Sequence, residues 1–133
     1  MFNISIIGEE KTWHKNKDVF ASAMTEYRCR FVAKTDLVKT ILADDLAVII
    51  LAWDGFRETL NQVQLAEKLE QRALIVMGPA HYFFEVEDLV LSGSATFVVE
   101  PVSAGQMHSL VKETLRLRER VIDKIDKKEM TAV

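Results

Sequence analysis

Four carboxylates in this sequence stand directly after apolar runs, where a strand would deliver them to the rim of a sheet. Glu9 and Glu10 follow Ile4-Ser5-Ile6-Ile7-Gly8, Asp54 follows the run from Leu46 to Trp53, and Glu100 follows Ala95 to Val99. Grouped carboxylate oxygens suit a hard divalent cation. Glu9, Glu10 and Asp54 are therefore a candidate acidic pocket; magnesium is the one metal it would take, and no other cofactor is expected. Acids crowded together without a cation raise one another's pKa, so such a pocket would respond to pH. The competing reading makes Asp54-Gly55 a loop turn and leaves the glutamates in water.

Other chemistries have weaker footing. His14, His81 and His108 are far apart and lack HxxxH or HExxH spacing, which argues against zinc. His81 and Glu85 form an i,i+4 pair that reads as a solvated helix face. Cys29 lies between Arg28 and Arg30, cations that could lower its pKa, although a lone small residue at a strand edge reads as structural. Phosphate loops need several glycines, so that backbone N–H groups can reach the anion at a helix N-terminus. The chain has five glycines, and neither GxGxxG nor GxxxxGK[ST] occurs. After the first strand, Gly8 is followed by two glutamates, which repel phosphate. With no nucleophile, base or cofactor loop in view, the expectation is a protein that is not an enzyme.

The elements that must position these residues alternate. Asn3 to Ile7 reads as a buried strand. Trp13, Phe20, Ala23, Met24 and Tyr27 then mark one amphipathic helix over 11–27, with Asp18 as a cap if it starts later. Cys29 to Ala33 is a second strand, and Thr35 or Asp36 caps a short helix through Leu37, Val38, Ile41 and Leu42. The run LAVIILAW from Leu46 to Trp53 is apolar enough to be covered on both faces, as in the centre of a parallel sheet. Thr59 to Gln71 is a helix, Ala73 to Met77 a fourth strand stopped by Gly78-Pro79, and 81–92 a helix ended by Gly93. Ala95 to Val99 is the fifth strand, and Ala104 to about Lys127 the last helix. Strand–helix alternation implies a three-layer α/β sandwich, a parallel sheet of order 2-1-3-4-5 with helices on both faces. Ligands of such sheets gather at the carboxyl ends of the strands.

Composition sets the outer limits. The 133 residues, 49% hydrophobic and 28% charged, make one core: a domain over 1–115, with 116–133 as a helical extension and tail. Seventeen Lys and Arg against twenty Asp and Glu give a charge of -3, which argues against nucleic acid as a direct partner. No apolar run approaches the roughly 20 residues of a membrane span. The N-terminus lacks a basic secretory n-region, and one cysteine fits a reducing cytoplasm.

The strand order, the length and the acidic residues after the first strand resemble the receiver domain of bacterial response regulators. The segment Gly93-Ser94-Ala95-Thr96-Phe97-Val98-Val99-Glu100-Pro101-Val102 is similar, without gaps, to the receiver stretch in which Gly-Ala leads to an aromatic on the fifth strand and then Lys-Pro. Phe97 takes the aromatic position and Pro101 the proline. The resemblance also exposes departures. The phospho-acceptor aspartate corresponds to Ala52 or Trp53, the charge-neutralising lysine to Glu100, and the switch Thr/Ser to Gly78. The magnesium-holding acids correspond to Gly8-Glu9, or to Glu9-Glu10 with a one-residue shift. Phosphoryl transfer depends on positioned positive charge, and this chain offers carboxylates instead.

The resemblance thus implies a pseudo-receiver that signals by phosphorylation-independent protein contact. It could serve as the N-terminal part of a larger regulator, such as a transcription activator or a pilus-localisation ATPase. Its partner, an output domain or a second copy, would meet the face made by the fourth helix, fifth strand and last helix. Tyr82, Phe83, Phe84, Phe97, Leu117 and Val121 are the residues expected there. Two alternatives stay open: a sensor of small molecules or divalent ions on the same fold, and a receiver phosphorylated at Asp54.

Overall fold

Aliphatic and β-branched runs become the strands. The computed structural model of the chain describes residues 4–41, 47–61 and 73–116. Its strands are β1 (Ile4–Gly8), β2 (Cys29–Ala33), β3 (Ala47–Leu51), β4 (Ala73–Gly78) and β5 (Thr96–Val99). They form one all-parallel sheet in the order β2-β1-β3-β4-β5, with Ile6 beside Ile49 and Ile49 beside Ile75. The chain is therefore an α/β protein of the flavodoxin-like arrangement. Every residue of β1, β3 and β4 is buried, whereas most of β2 and β5 is only half-buried. Central strands covered on both faces have no polar side to show, which is why their sequences are continuous apolar runs.

The helices are α1 (Glu10–Asn16), α2 (Ala21–Glu26), α3 (Leu37–Ile41), α4 (Phe56–Leu60), α5 (Phe83–Leu91) and α6, described over 104–116. Strand alternation divides the core. Val48 and Ile50 of β3 pack with Leu37, Ile41, Phe56, Leu60 and Val86 of α3, α4 and α5. Ala47, Ile49 and Leu51 face the other way, toward Phe20 and the α6 residues Met107, Val111 and Leu115. Among the described residues, no helix is long and apolar enough to cross a membrane.

Two helix ends follow local rules. Ser103 Oγ accepts from the Gln106 backbone N–H at 3.1 Å while Gln106 Oε1 accepts from the Ser103 N–H at 3.0 Å, a reciprocal cap that starts α6. Past α5, Gly93 takes a φ of 81°. The N–H groups of Gly93 and Ser94 reach back to the carbonyls of Val90 and Leu89 at 3.1 and 2.8 Å, closing the helix as a left-handed glycine allows.

Several sequence expectations need correction. The single helix over 11–27 is two, parted by a 3-10 turn at Lys17–Phe20. Buried Asn16 leaves helical geometry (φ -111°, ψ 0°) and its side-chain amide takes the Thr12 carbonyl, competing with the helical ladder. Asp18 lies inside that turn and caps nothing. Thr35 and Asp36 lie in a 3-10 turn, Lys34–Asp36, that runs directly into α3 at Leu37. The helix expected from Thr59 begins at Phe56, because Gly55 at φ 83° turns the chain early. A 3-10 turn, Ala80–Tyr82, precedes α5. The expected extension lies outside the described residues from 117 onward, as does the expected helix after β3 from 62 to 71.

Candidate functional site

The carboxyl ends of the strands meet at a rim whose shape is set by very small side chains. Ala52 continues β3 by one ladder bond, its N–H donating to the Met77 carbonyl at 2.9 Å. The chain then turns: Trp53 swings into the core and its carbonyl accepts from the Phe56 N–H at 3.3 Å. On β4, Gly78 lies directly against this corner. A Cβ added to Gly78 would fall 2.8 Å from the Ala52 Cβ and 3.3 Å from the Tyr82 ring. On β1, a Cβ added to Gly8 would fall 2.9 Å from the Leu51 Cβ. No such separation is sterically allowed, so the rim closes only because glycine stands at both places.

Trp53, one of the positions matched to a phospho-acceptor, is 6% exposed. Its indole lies at 5.7 Å and 61° to Phe56, among Leu37, Ile41 and Leu60 on the α3–α5 face of the sheet. It is core, with its polar N–H side chain enclosed by the same cluster that holds the helices. Ala52, the other matched position, packs at the margin of that cluster.

The candidate acidic pocket of Glu9, Glu10 and Asp54 does not assemble. Glu9 pairs with Lys34 at 3.7 Å, toward β2. Glu10, in the first turn of α1, lies near His14 at 3.4 Å on its own helix. Asp54 accepts a hydrogen bond from the Tyr82 hydroxyl at 2.8 Å. Among the described residues, no group of three or more Asp, Glu, His or Cys side chains is placed to hold a metal ion. Each acid lies beside a different neighbour, so the three share no site.

The Asp54–Tyr82 bond ties the β3–α4 turn to the segment leading into α5. Tyr82 stands 6.0 Å from Phe56 and 4.3 Å from His81, so an aromatic series runs from Trp53 through Phe56 and Tyr82 to His81. Its hydrogen bond to Asp54, then burial and the charges of Asp54, Glu85 and Glu9, push the Tyr82 pKa up from 10.0 to about 12. Sequence reasoning placed Tyr82 on the interaction face and missed this bond, which spans 28 residues. No local spacing signals such a contact.

The remaining matched positions sit at the β4–β5 end. The Glu100 N–H donates to the Gly78 carbonyl at 3.0 Å, and the Glu100–Pro101 peptide is cis. Phe97 is half-buried, with Phe83 edge-on at 5.8 Å. Phe84, by contrast, is 76% exposed, and Leu91, seven residues on, is 77% exposed. Within the expected interaction face Tyr82 belongs to the rim, Phe83 packs edge-on against both Phe97 and Phe84, and Phe84 and Leu91 stand in solvent. Leu117 and Val121 lie outside the described residues. An exposed bidentate ion pair, Arg57 to Asp88 at 3.0 and 2.9 Å, joins α4 to α5, with Asp88 between Phe84 and Leu91 on the helix. At Cys29 burial raises the thiol pKa, which fits a structural residue at the strand edge and not a thiol activated by its flanking arginines.

No protein-family model matches the sequence, and no curated protein does. Among solved structures, the crystal structure of adenylate cyclase from Rhodopirellula baltica is similar, with a TM-score of 0.69 over 97% of this chain and 98% of that one. The two sequences are 8% identical. A likeness at that level is one of fold, and fold does not fix chemistry.

Two predictions follow from the rim. Gly78→Ala destabilises the protein by about 1–3 kcal/mol in urea unfolding, as overpacking of a tight site does. Adding Ala52→Gly recovers part of the loss, a coupling of about 0.5–3 kcal/mol for residues in contact; strictly additive losses would show that the two do not touch. The second concerns the phenol. Its raised pKa means the folded state favours neutral Tyr82, so this stabilisation is present below pH 10 and is lost as pH rises toward about 12. Tyrosinate absorbance in Asp54→Ala shows Tyr82 titrating closer to its ordinary 10.0.

Proposed function

We propose that this domain is a degenerate receiver that works through protein contact without phosphotransfer. The observation that carries the reading is the Ala52–Gly78 contact. Where the receiver resemblance calls for an acceptor carboxylate and a switch hydroxyl, the rim has a methyl group closed against a bare backbone. Trp53 is committed to the core, and a glutamate takes the lysine's place at 100. A phosphoryl group arriving at such a rim would find a glutamate in the lysine's place at 100, and Lys34 already paired with Glu9.

The same reading gives the domain an output surface. Phe84 and Leu91 lie one above the other on α5, seven residues apart, and both are more than three-quarters exposed at 76% and 77%. Large apolar side chains left in water along one helix face suit a protein partner better than solvent. An output domain of a larger cytoplasmic regulator, or a second copy of the chain, would dock there.

Incubation with acetyl phosphate and magnesium tests the first half. We expect no acid-labile phosphate on the protein by mass spectrometry, whereas stoichiometric phosphate on Asp54 would overturn the proposal. The second half predicts that Phe84→Asp with Leu91→Asp leaves thermal stability nearly unchanged, since surface substitutions stay within about 0.5 kcal/mol. The double variant should abolish self-association measured by light scattering, or capture of the partner that the wild-type chain retains. Association equal to wild type would remove this face from the account.

A further inference from the structure

The exposed face of α5 carries charge as well as apolar surface. Its exposed positions include Phe84, Glu87, Asp88 and Leu91, spaced i, i+3, i+4 and i+7, so the four share one stripe of the helix. The two apolar ends stand two turns apart, about 10 Å, with the carboxylates between them. Phe84 meets Phe83 edge-on at 6.1 Å, and Phe83 meets Phe97 at 5.8 Å. The apolar surface therefore continues onto β5, where Val99, 51% exposed, lies on the same side of the strand as Phe97.

Cations are missing from this part of the chain. From Ala73 to Val111 the sequence has four acids, Glu85, Glu87, Asp88 and Glu100, and neither Lys nor Arg. Residues 9–39 are the reverse, with seven Lys and Arg against five acids. Arg57 reaches from α4 and neutralises Asp88. Glu87 is left as the open charge of the stripe, with no hydrogen-bond or ion-pair partner among the described residues.

That charge chooses among partners. Nucleic acid and anionic lipid are repelled by it. A second copy docked α5 against α5 would bring one acidic stripe to another, which costs affinity. A segment bearing Lys or Arg gains where these lose. Resting on the contact reading above, we propose that the partner is a protein presenting a basic amphipathic helix to α5. Its apolar residues, seven apart, would lie against Phe84 and Leu91, with Lys or Arg over Glu87.

The test uses the full chain and two fluorescent helical peptides. One is built of Leu and Lys with the Leu residues on one face, and the other has Glu in place of every Lys. We expect the Leu-Lys peptide to bind, to weaken as salt rises, and to shift the backbone amide resonances of Phe83 to Leu91. Glu87→Lys should weaken it about tenfold. Asp18→Lys, the same change of charge at an exposed position beside Phe20 and the other core layer, should not. No binding, equal binding of the Leu-Glu peptide, equal weakening by Asp18→Lys and Glu87→Lys, or amide shifts outside α5 and β5 would overturn the proposal. Phe84→Ser with Leu91→Ser separates it from the reading it rests on. Binding lost in that double variant but indifferent to Glu87→Lys keeps the face and overturns the basic partner. Binding indifferent to the double variant removes the face itself, and the proposal with it.

Discussion

The contact between Gly78 and Ala52 governs what the top of this sheet can do. Parallel strands covered on both faces pack at crystal-like density, and here β3 and β4 come so close at their carboxyl ends that a Cβ on residue 78 would fall 2.8 Å from its neighbour. Gly8 against Leu51 repeats the constraint one strand over, at 2.9 Å. The crevice in which sheets of this kind hold ligands is thereby narrowed between the strands themselves. Once the corner is closed, Trp53 has only the interior to enter, and its indole becomes part of the cluster that anchors α3, α4 and α5.

Closure also redistributes the charges around it. A cavity lined by carboxylates would need a cation to offset their repulsion. Without a shared cavity, Glu9 turns to Lys34, Glu10 lies near His14, and Asp54 accepts from Tyr82. The last of these is the most consequential, because it links the turn after β3 to the start of α5 and so couples the rim to the helix that carries Phe84 and Leu91. The rim then braces the start of the helix on which the proposed contact function depends. Arg57 and Asp88 brace the same helix from α4, although an exposed pair of this kind contributes only about 0.2–1 kcal/mol; the apolar cluster beneath them does most of the holding.

The sequence alone determined the sheet. Continuous apolar runs such as Ala47 to Leu51 and Ala73 to Gly78 can be satisfied only in the centre of a two-sided layer, and alternation with helical stripes leaves the 2-1-3-4-5 order as the natural one. It also determined which residue types stand at the rim, since identity at 52, 78 and 100 is read directly. Element ends were less legible: Asn16 breaks a helix through a side-chain bond to Thr12 that competes with the backbone on nearly equal terms. What only the tertiary structure decided was which side chains meet. The Tyr82–Asp54 bond, the packing of Phe83 on Phe97, and the separation of Glu9, Glu10 and Asp54 all depend on distances between segments far apart in the chain. Periodicity reports the face a residue takes on its own element, but contact across elements is settled by packing, where a few tenths of an ångström separate a site from a closed seam.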